Sequence, residues 1–339
     1  MGAGDHLMAG FRAEGPFFDE LSPGQSFGPV PGVTLTDGVA AAHQAIVGNR
    51  LALTLDGELA RAVTGGDRLA SPAMVWDVAI GQSTVATQHV KANLFYRGLW
   101  FRRAPVIGDT LRTSTVVAGL RQNRPRPGRR ATGLAALRIT TVDQQDRPVL
   151  DFWRCAMLPL RAPDAPAGST GYDDDLDLIG AGVRAGDVAA LAGSWKLDGQ
   201  AGLVAGPGPA TGGLTPGDVI EVAGGDVVSS APELARLTLN VAQVHHDAEA
   251  AGGTRLVYGG HTIGLALAQA ERALPSLVTV LGWHSCDHLA PVHEGDTLHS
   301  SLELESLAPR APGAVAELRS RVFSGSEQVL DWRFVALLA

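Results

Sequence analysis

The chain has almost no lysine: of its 27 basic residues only Lys91 and Lys196 are lysine, a bias that goes with a GC-rich genome rather than with a mechanism. Charged residues make up 18% and aromatic residues 5%. A net charge of -8 argues against a general nucleic-acid surface, because gripping phosphates needs a net basic face. Two cysteines, Cys155 and Cys286, cannot build a disulfide framework, and neither has a zinc-like spacing, so both read as buried thiols. No run of roughly eighteen apolar residues occurs, so no membrane partner is expected. The start, MGAGDHLMAGFRAEG, lacks the basic stretch and long apolar core of a signal sequence, and the expected location is cytoplasmic.

What is present is apolar material, 45% of 339 residues, enough for two buried cores of about 100–200 residues each. An internal repeat says where they lie. APVIGDTL (Ala104 to Leu111) returns as APVHEGDTL (Ala290 to Leu298), LSPGQSF at Leu21 returns as LTPGDVI at Leu214, and RPVLDFWRCAML (Arg147 to Leu158) returns as EQVLDWRFVALL (Glu327 to Leu338). The stretches after each GDTL alternate with period two and predict strands. Ser71 to Ala86 and Tyr258 to Leu274 are apolar on most sides and predict buried helices. That order, repeated, fits the α+β class as a double hotdog: two antiparallel sheets, each wrapped around a long central helix, joined edge to edge into one continuous sheet. The boundaries expected are 1–161 for the first hotdog, 162–212 for a Gly- and Pro-rich linker with a helical patch near Ala181 to Gly193, and 213–339 for the second hotdog. Asp109 and Asp296 in GDTL read as turn residues, with the carboxylate bonded to its own backbone two residues on, rather than as acids or bases.

The chemistry-bearing stretch is RLTLNVAQVHHDAEAAGGTRLVYGGHTIGLALAQ, from Arg236 to Gln269. It resembles the MaoC-like hydratases and dehydratases, hotdog enzymes of acyl-CoA thioesters whose motif is Asp-x-Asn-Pro-x-His-x-Asp followed by a His-Gly helix start. His245 and Asp247 keep that pattern; Asn240 and Ala242 depart from it. A narrower resemblance is to the β-methylmalyl-CoA dehydratases, also called mesaconyl-CoA hydratases, carried by N-x-A-x-V-H (Asn240 to His245), VYGGH (Val257 to His261), GLRQN (Gly119 to Asn123), GDT and the FFDE opening at Phe17. Asn240 is in keeping with that branch.

The resemblance implies a hydro-lyase that reversibly hydrates an acyl thioester, with His245 as base, since an imidazole takes and returns protons near neutrality. Asn240 can orient water but cannot ionise, so a borrowed carboxylate, Asp247 or Asp287, is the natural suspect. Gly259 and Gly260 open a helix whose free N–H groups suit an oxyanion, while Tyr258, His261, His284 and His288 are unranked pocket candidates. His246 reads as a solvent-facing neighbour. No His-x-x-x-His face occurs, and neither metal nor cofactor is expected. In the first half Asn49 stands in Asn240's place but Thr54 stands in that of His245, so only one site per chain is expected to work. Five arginines in GLRQNRPRPGRR suit CoA phosphates, with Arg121, Gln122 and Asn123 the binding candidates. The expected partner is an acyl-CoA or acyl-carrier thioester; a homodimer of double hotdogs is also expected to be possible. A dehydratase of secondary metabolism, a hotdog thioesterase and a non-catalytic acyl-CoA-binding protein stay open as other readings.

Overall fold

The structure is a computed structural model that describes residues 13–28, 30–180, 195, 197, 213–310 and 313–339; the helical patch expected near Ala181 to Gly193 lies outside these. Two long helices form its centre. Every residue of the first, Pro72–Ser83, is buried, and so is Gly260–Glu271 within the second, Gly259–Ala273. Sequences apolar all round the helix cannot lie on a surface without exposing a face to water. Here each is covered by four long strands that follow it: β3 (Ala92–Phe101), β4 (Thr110–Gln122), β5 (Thr132–Val142) and β6 (Pro148–Pro159) in the first half, then β9 (Leu277–His288), β10 (Thr297–Arg310), β11 (Gly313–Ser324) and β12 (Glu327–Leu338) in the second. Short strands complete the edges: β1 (Ser26–Phe27), β2 (Val33–Thr34), β7 (Val219–Glu221) and β8 (Asp226–Val227).

All pairings are antiparallel and form one sheet in the order β1-β4-β5-β6-β3-β9-β12-β11-β10-β7, with β2 on β4 and β8 on β10. The halves join at β3 and β9, where Trp100 lies opposite Gly282. A side chain at 282 would come within 2.4 Å of the Leu99 carbonyl, so only glycine lets the two sheets meet there. The result is the double hotdog. Its internal symmetry extends to single hydrogen bonds: Gln82 Nε2 donates to the Leu111 carbonyl at 3.0 Å, and Gln269 Nε2 to the Leu298 carbonyl at 2.8 Å, each tying a central helix to the strand after its GDTL.

Both GDTL loops are turns. Gly108 and Gly295 have φ of 103° and 96°, and Asp109 and Asp296 accept the N–H of Val106 (2.9 Å) and His293 (2.8 Å). The bond therefore runs three residues back rather than two on, because the left-handed glycine turns the carboxylate over the loop that precedes it. Replacing Asp296 by Ala is expected to lower stability by about 1 kcal/mol, the scale of one such bond, with turnover per folded molecule unchanged; a thousandfold loss of turnover at unchanged stability would make Asp296 catalytic.

The start of the interhalf segment does more than connect. Leu176 and Ile179 pack on Phe95, Leu134, Ala136 and Cys155, the outer face of the first-half sheet, and Asp174 accepts the Leu120 N–H at 2.8 Å. Among the described residues no helix is long and apolar enough to cross a membrane.

Candidate active site

The segment before the second central helix folds into a closed loop. Leu256 N–H donates to the Val244 carbonyl at 3.0 Å, and His246 Nε2 donates to the Asn240 carbonyl at 2.7 Å. His246 is thus half-buried and structural rather than solvent-facing. His245, in a 3-10 turn over Gln243–His245, bonds through Nδ1 to the Leu256 carbonyl at 2.9 Å. A carbonyl can only accept, so Nδ1 carries the proton and Nε2 presents a lone pair. Burial pushes the His245 pKa down to about 4, so the ring is neutral, and able to take a proton, across the neutral range. Asn240 spends its Oδ1 on the Ala242 N–H (2.9 Å); its buried Nδ2 has no partner among the described residues.

These groups open onto a cavity of about 620 Å³ between the halves. His245, Asn240, Tyr258, Gly259 and His288 reach it from the second half, and Arg154 from β6 of the first. Among the described residues no Asp or Glu lines it. His288 is half-buried, its pKa also lowered to about 4 by desolvation first and by nearby His245 second, and among the described residues its buried Nε2 has no partner. At the rim stand the exposed Lys91 and Arg129.

The start of the second central helix is fixed from the other half. Tyr258 caps it, and the Tyr258 hydroxyl donates to the main-chain carbonyl of Asp77 at 3.0 Å. Asp77 itself is buried, bonded through Oδ2 to His43 Nε2 at 2.8 Å, and its Oδ1 lies so near Gly260 that a Cβ there would be 2.0 Å away. Burial raises the Asp77 pKa, with His43 opposing that rise. The first N–H groups of the helix, on Gly259 and Gly260, have no intrahelical carbonyl to reach and carry the positive end of the dipole. The site thus combines a neutral base, an amide donor and a helix start, in a cavity with apolar walls.

No family model matches the chain. It is 56% identical to RV0216 of Mycobacterium tuberculosis, a conserved protein with a double hotdog fold, over 97% of this chain and 100% of that one, with a TM-score of 0.86. It is 29% identical to the β-methylmalyl-CoA dehydratase of Chloroflexus aurantiacus, over 86% of this chain and 82% of that protein. A MaoC domain protein dehydratase structure from Chloroflexus aurantiacus is 25% identical, over 96% of this chain and 97% of that one, with a TM-score of 0.80. The chain is a double-hotdog protein, similar over nearly its whole length to MaoC-like hydratases and dehydratases.

In this chain the linear motif is brought together at the cavity, whereas several residues expected beside it are not. Asp247 caps its own turn by accepting the Glu249 N–H at 2.8 Å, and neither it nor Asp287 lines the cavity. His261 is buried with both ring nitrogens unpartnered and its pKa lowered to about 4 by burial; it lies near His43, outside the lining. His284 faces away, 3.4 Å from Glu317 and edge-on to Trp100. Gln122 bonds the Pro166 carbonyl and Thr170, Asn123 bonds Thr132, and Arg121 bridges to Asp173, so that part of the hairpin anchors backbone while Arg129 reaches the rim.

The first half repeats the geometry without the chemistry. Asn49 Nδ2 donates to the Thr54 hydroxyl at 2.7 Å, filling the place where the second half has its imidazole. The N–H of Arg50 bonds the Glu271 carboxyl, just as the N–H of Val241 bonds the Thr84 hydroxyl at 2.8 Å. Burial pushes the Glu271 pKa up to about 8. Glu271, Asp77, His43 and Arg154 carry no spacing signature in the sequence, because each reaches its place across the interface between the halves.

Proposed function

We propose that the chain is a hydro-lyase that reversibly adds water to the double bond of a 2-enoyl thioester of CoA or of an acyl carrier, of the β-methylmalyl-CoA type that its relative's name describes. The observation that carries this is the neutral His245 ring, its Nε2 lone pair fixed by the Leu256 carbonyl, in a cavity shared with Asn240 and the glycine helix start. His245 Nε2 takes a proton from water as the oxygen adds to the β-carbon. The electron pair moves onto the thioester oxygen, which the N–H groups of Gly259 and Gly260 hold as an enolate, and the imidazolium then returns its proton to the α-carbon. Asn240 Nδ2 holds the water. With no carboxylate in the lining among the described residues, His245 serves as both acid and base, and Lys91 and Arg129 at the rim offer the phosphates of CoA their cations.

Purified protein should erase the ultraviolet absorbance of an enoyl-CoA without releasing free thiol. Thiol release from a saturated acyl-CoA would favour a thioesterase instead, and tight binding with neither change would favour a non-catalytic binding protein.

A further inference from the structure

The cavity contains a charge that this chemistry leaves unused. Arg154 is 3% exposed, and its partners are neutral: the Thr87 hydroxyl, the Tyr96 hydroxyl and, at 3.4 Å, the Ser83 carbonyl. Its Nε has no partner, and among the described residues no carboxylate pairs with it. A buried guanidinium stays charged and, without a carboxylate to pair with, is destabilising. Its field reaches His245 and Tyr258.

The internal symmetry shows that the fold does not require this cation. On β6 and β12, Asp151 and Asp331 tip outward and Phe152 and Trp332 inward. Two residues on from that inner pair, Arg154 occupies the place that Phe334 fills in the second half, fully buried and stacked on Trp332 with ring centroids 4.0 Å apart. The guanidinium is also at the deep end. The rim has exposed Lys91, Arg129 and Leu289, whereas Ile80, Tyr96 and Arg154 are buried. CoA phosphates meet cations at the rim, so the inner one faces the far end of the acyl chain.

We propose that Arg154 is a specificity-determining residue whose planar fork pairs with a carboxylate on the acyl chain, so that the half without a base reads the substrate that the other half converts. The assignment of the acyl end rests on the hydro-lyase reading. Calorimetric binding of succinyl-CoA and butyryl-CoA, which differ by a terminal carboxylate, tests it without any turnover. Wild type is expected to prefer succinyl-CoA by about 100-fold, and Arg154→Met to abolish that preference while binding butyryl-CoA as before. Equal affinities in wild type would overturn the proposal whether or not the variant folds. An equal loss of both ligands in a folded Arg154→Met would also overturn it, by assigning the guanidinium to the thioester common to both. Absence of hydration with the preference intact would sink the hydro-lyase reading and leave the carboxylate subsite standing.

Discussion

Replacing His245 by Gln is expected to slow hydration of an enoyl thioester by about 10²–10⁴-fold, the range over which positioned acid–base catalysis acts. Gln keeps a hydrogen-bonding side chain of similar reach, so the loop closed by the Val244–Leu256 and Asn240–His246 bonds should persist and ligand affinity should change little. Thr54→Ala, at the matching place in the first half, removes the acceptor of Asn49 and the donor to the Leu51 carbonyl, and should leave turnover within about twofold of wild type, as expected of a group that never enters a rate-determining step. The pH profile gives a second reading of the same residue. Because burial lowers the His245 pKa to about 4, the acid limb of kcat/KM for hydration should fall near that value, well below the ordinary imidazole range. A limb that survives His245→Gln would move the base elsewhere; one still near 4 would point to His288, whose pKa burial lowers likewise.

Gly260→Ala is expected to have the other large effect. A Cβ at 260 would meet Asp77 Oδ1 at 2.0 Å and the Tyr258 ring at 2.8 Å, and Asp77 is held by His43 while Tyr258 is held by the Asp77 carbonyl. Neither neighbour can yield without moving the helix start, so overpacking should lower stability by about 1–3 kcal/mol. Loss of one aligned N–H at the enolate oxygen should reduce turnover about 10²–10³-fold in the molecules that remain folded. Gly264→Ala is the control. Its Cβ would press on Val47 at 2.9 Å, away from the cavity, so stability should fall while turnover per folded molecule is kept.

Much of this was legible in the sequence because the repeat supplies each piece of evidence twice. Two GDTL loops, two helices apolar all round and alternating strands after each leave few arrangements other than a doubled sheet around two helices. His245, Asn240, Tyr258 and Gly259 lie within one short stretch, and local folding alone brings them together. Residues that complete the cavity come from the opposite half, where only the edge-to-edge junction of β3 and β9 places them. Arg154 was hidden for a more specific reason. The shared Val-Leu-Asp motif sets Arg154 beside Arg333 by composition, yet the two are one place out of step, and a single-residue slip in a strand changes the face. Arg333 points outward and bonds Glu305 at 2.9 Å, whereas Arg154 points inward. Counting by twos from the inward Phe152 leads to Arg154.

The same symmetry explains why one site per chain is expected to work. Asn49 and Thr54 bond each other, Glu271 is bonded to backbone, and Phe334 of the second half occupies the strand position from which Arg154 of the first half faces the working cavity. The closed half retains the sheet, the helix and the Asp77–His43 pair that fixes the other half's helix start.

The central claim, that water is added to the acyl chain and the thioester is left intact, is tested most directly by turnover in water enriched in heavy oxygen, followed by mass spectrometry of the thioester. Hydration predicts an intact acyl-CoA carrying the label as a hydroxyl on the β-carbon, in wild type but far more slowly in His245→Gln. Label found only in a released carboxylic acid, together with free CoA, would contradict it.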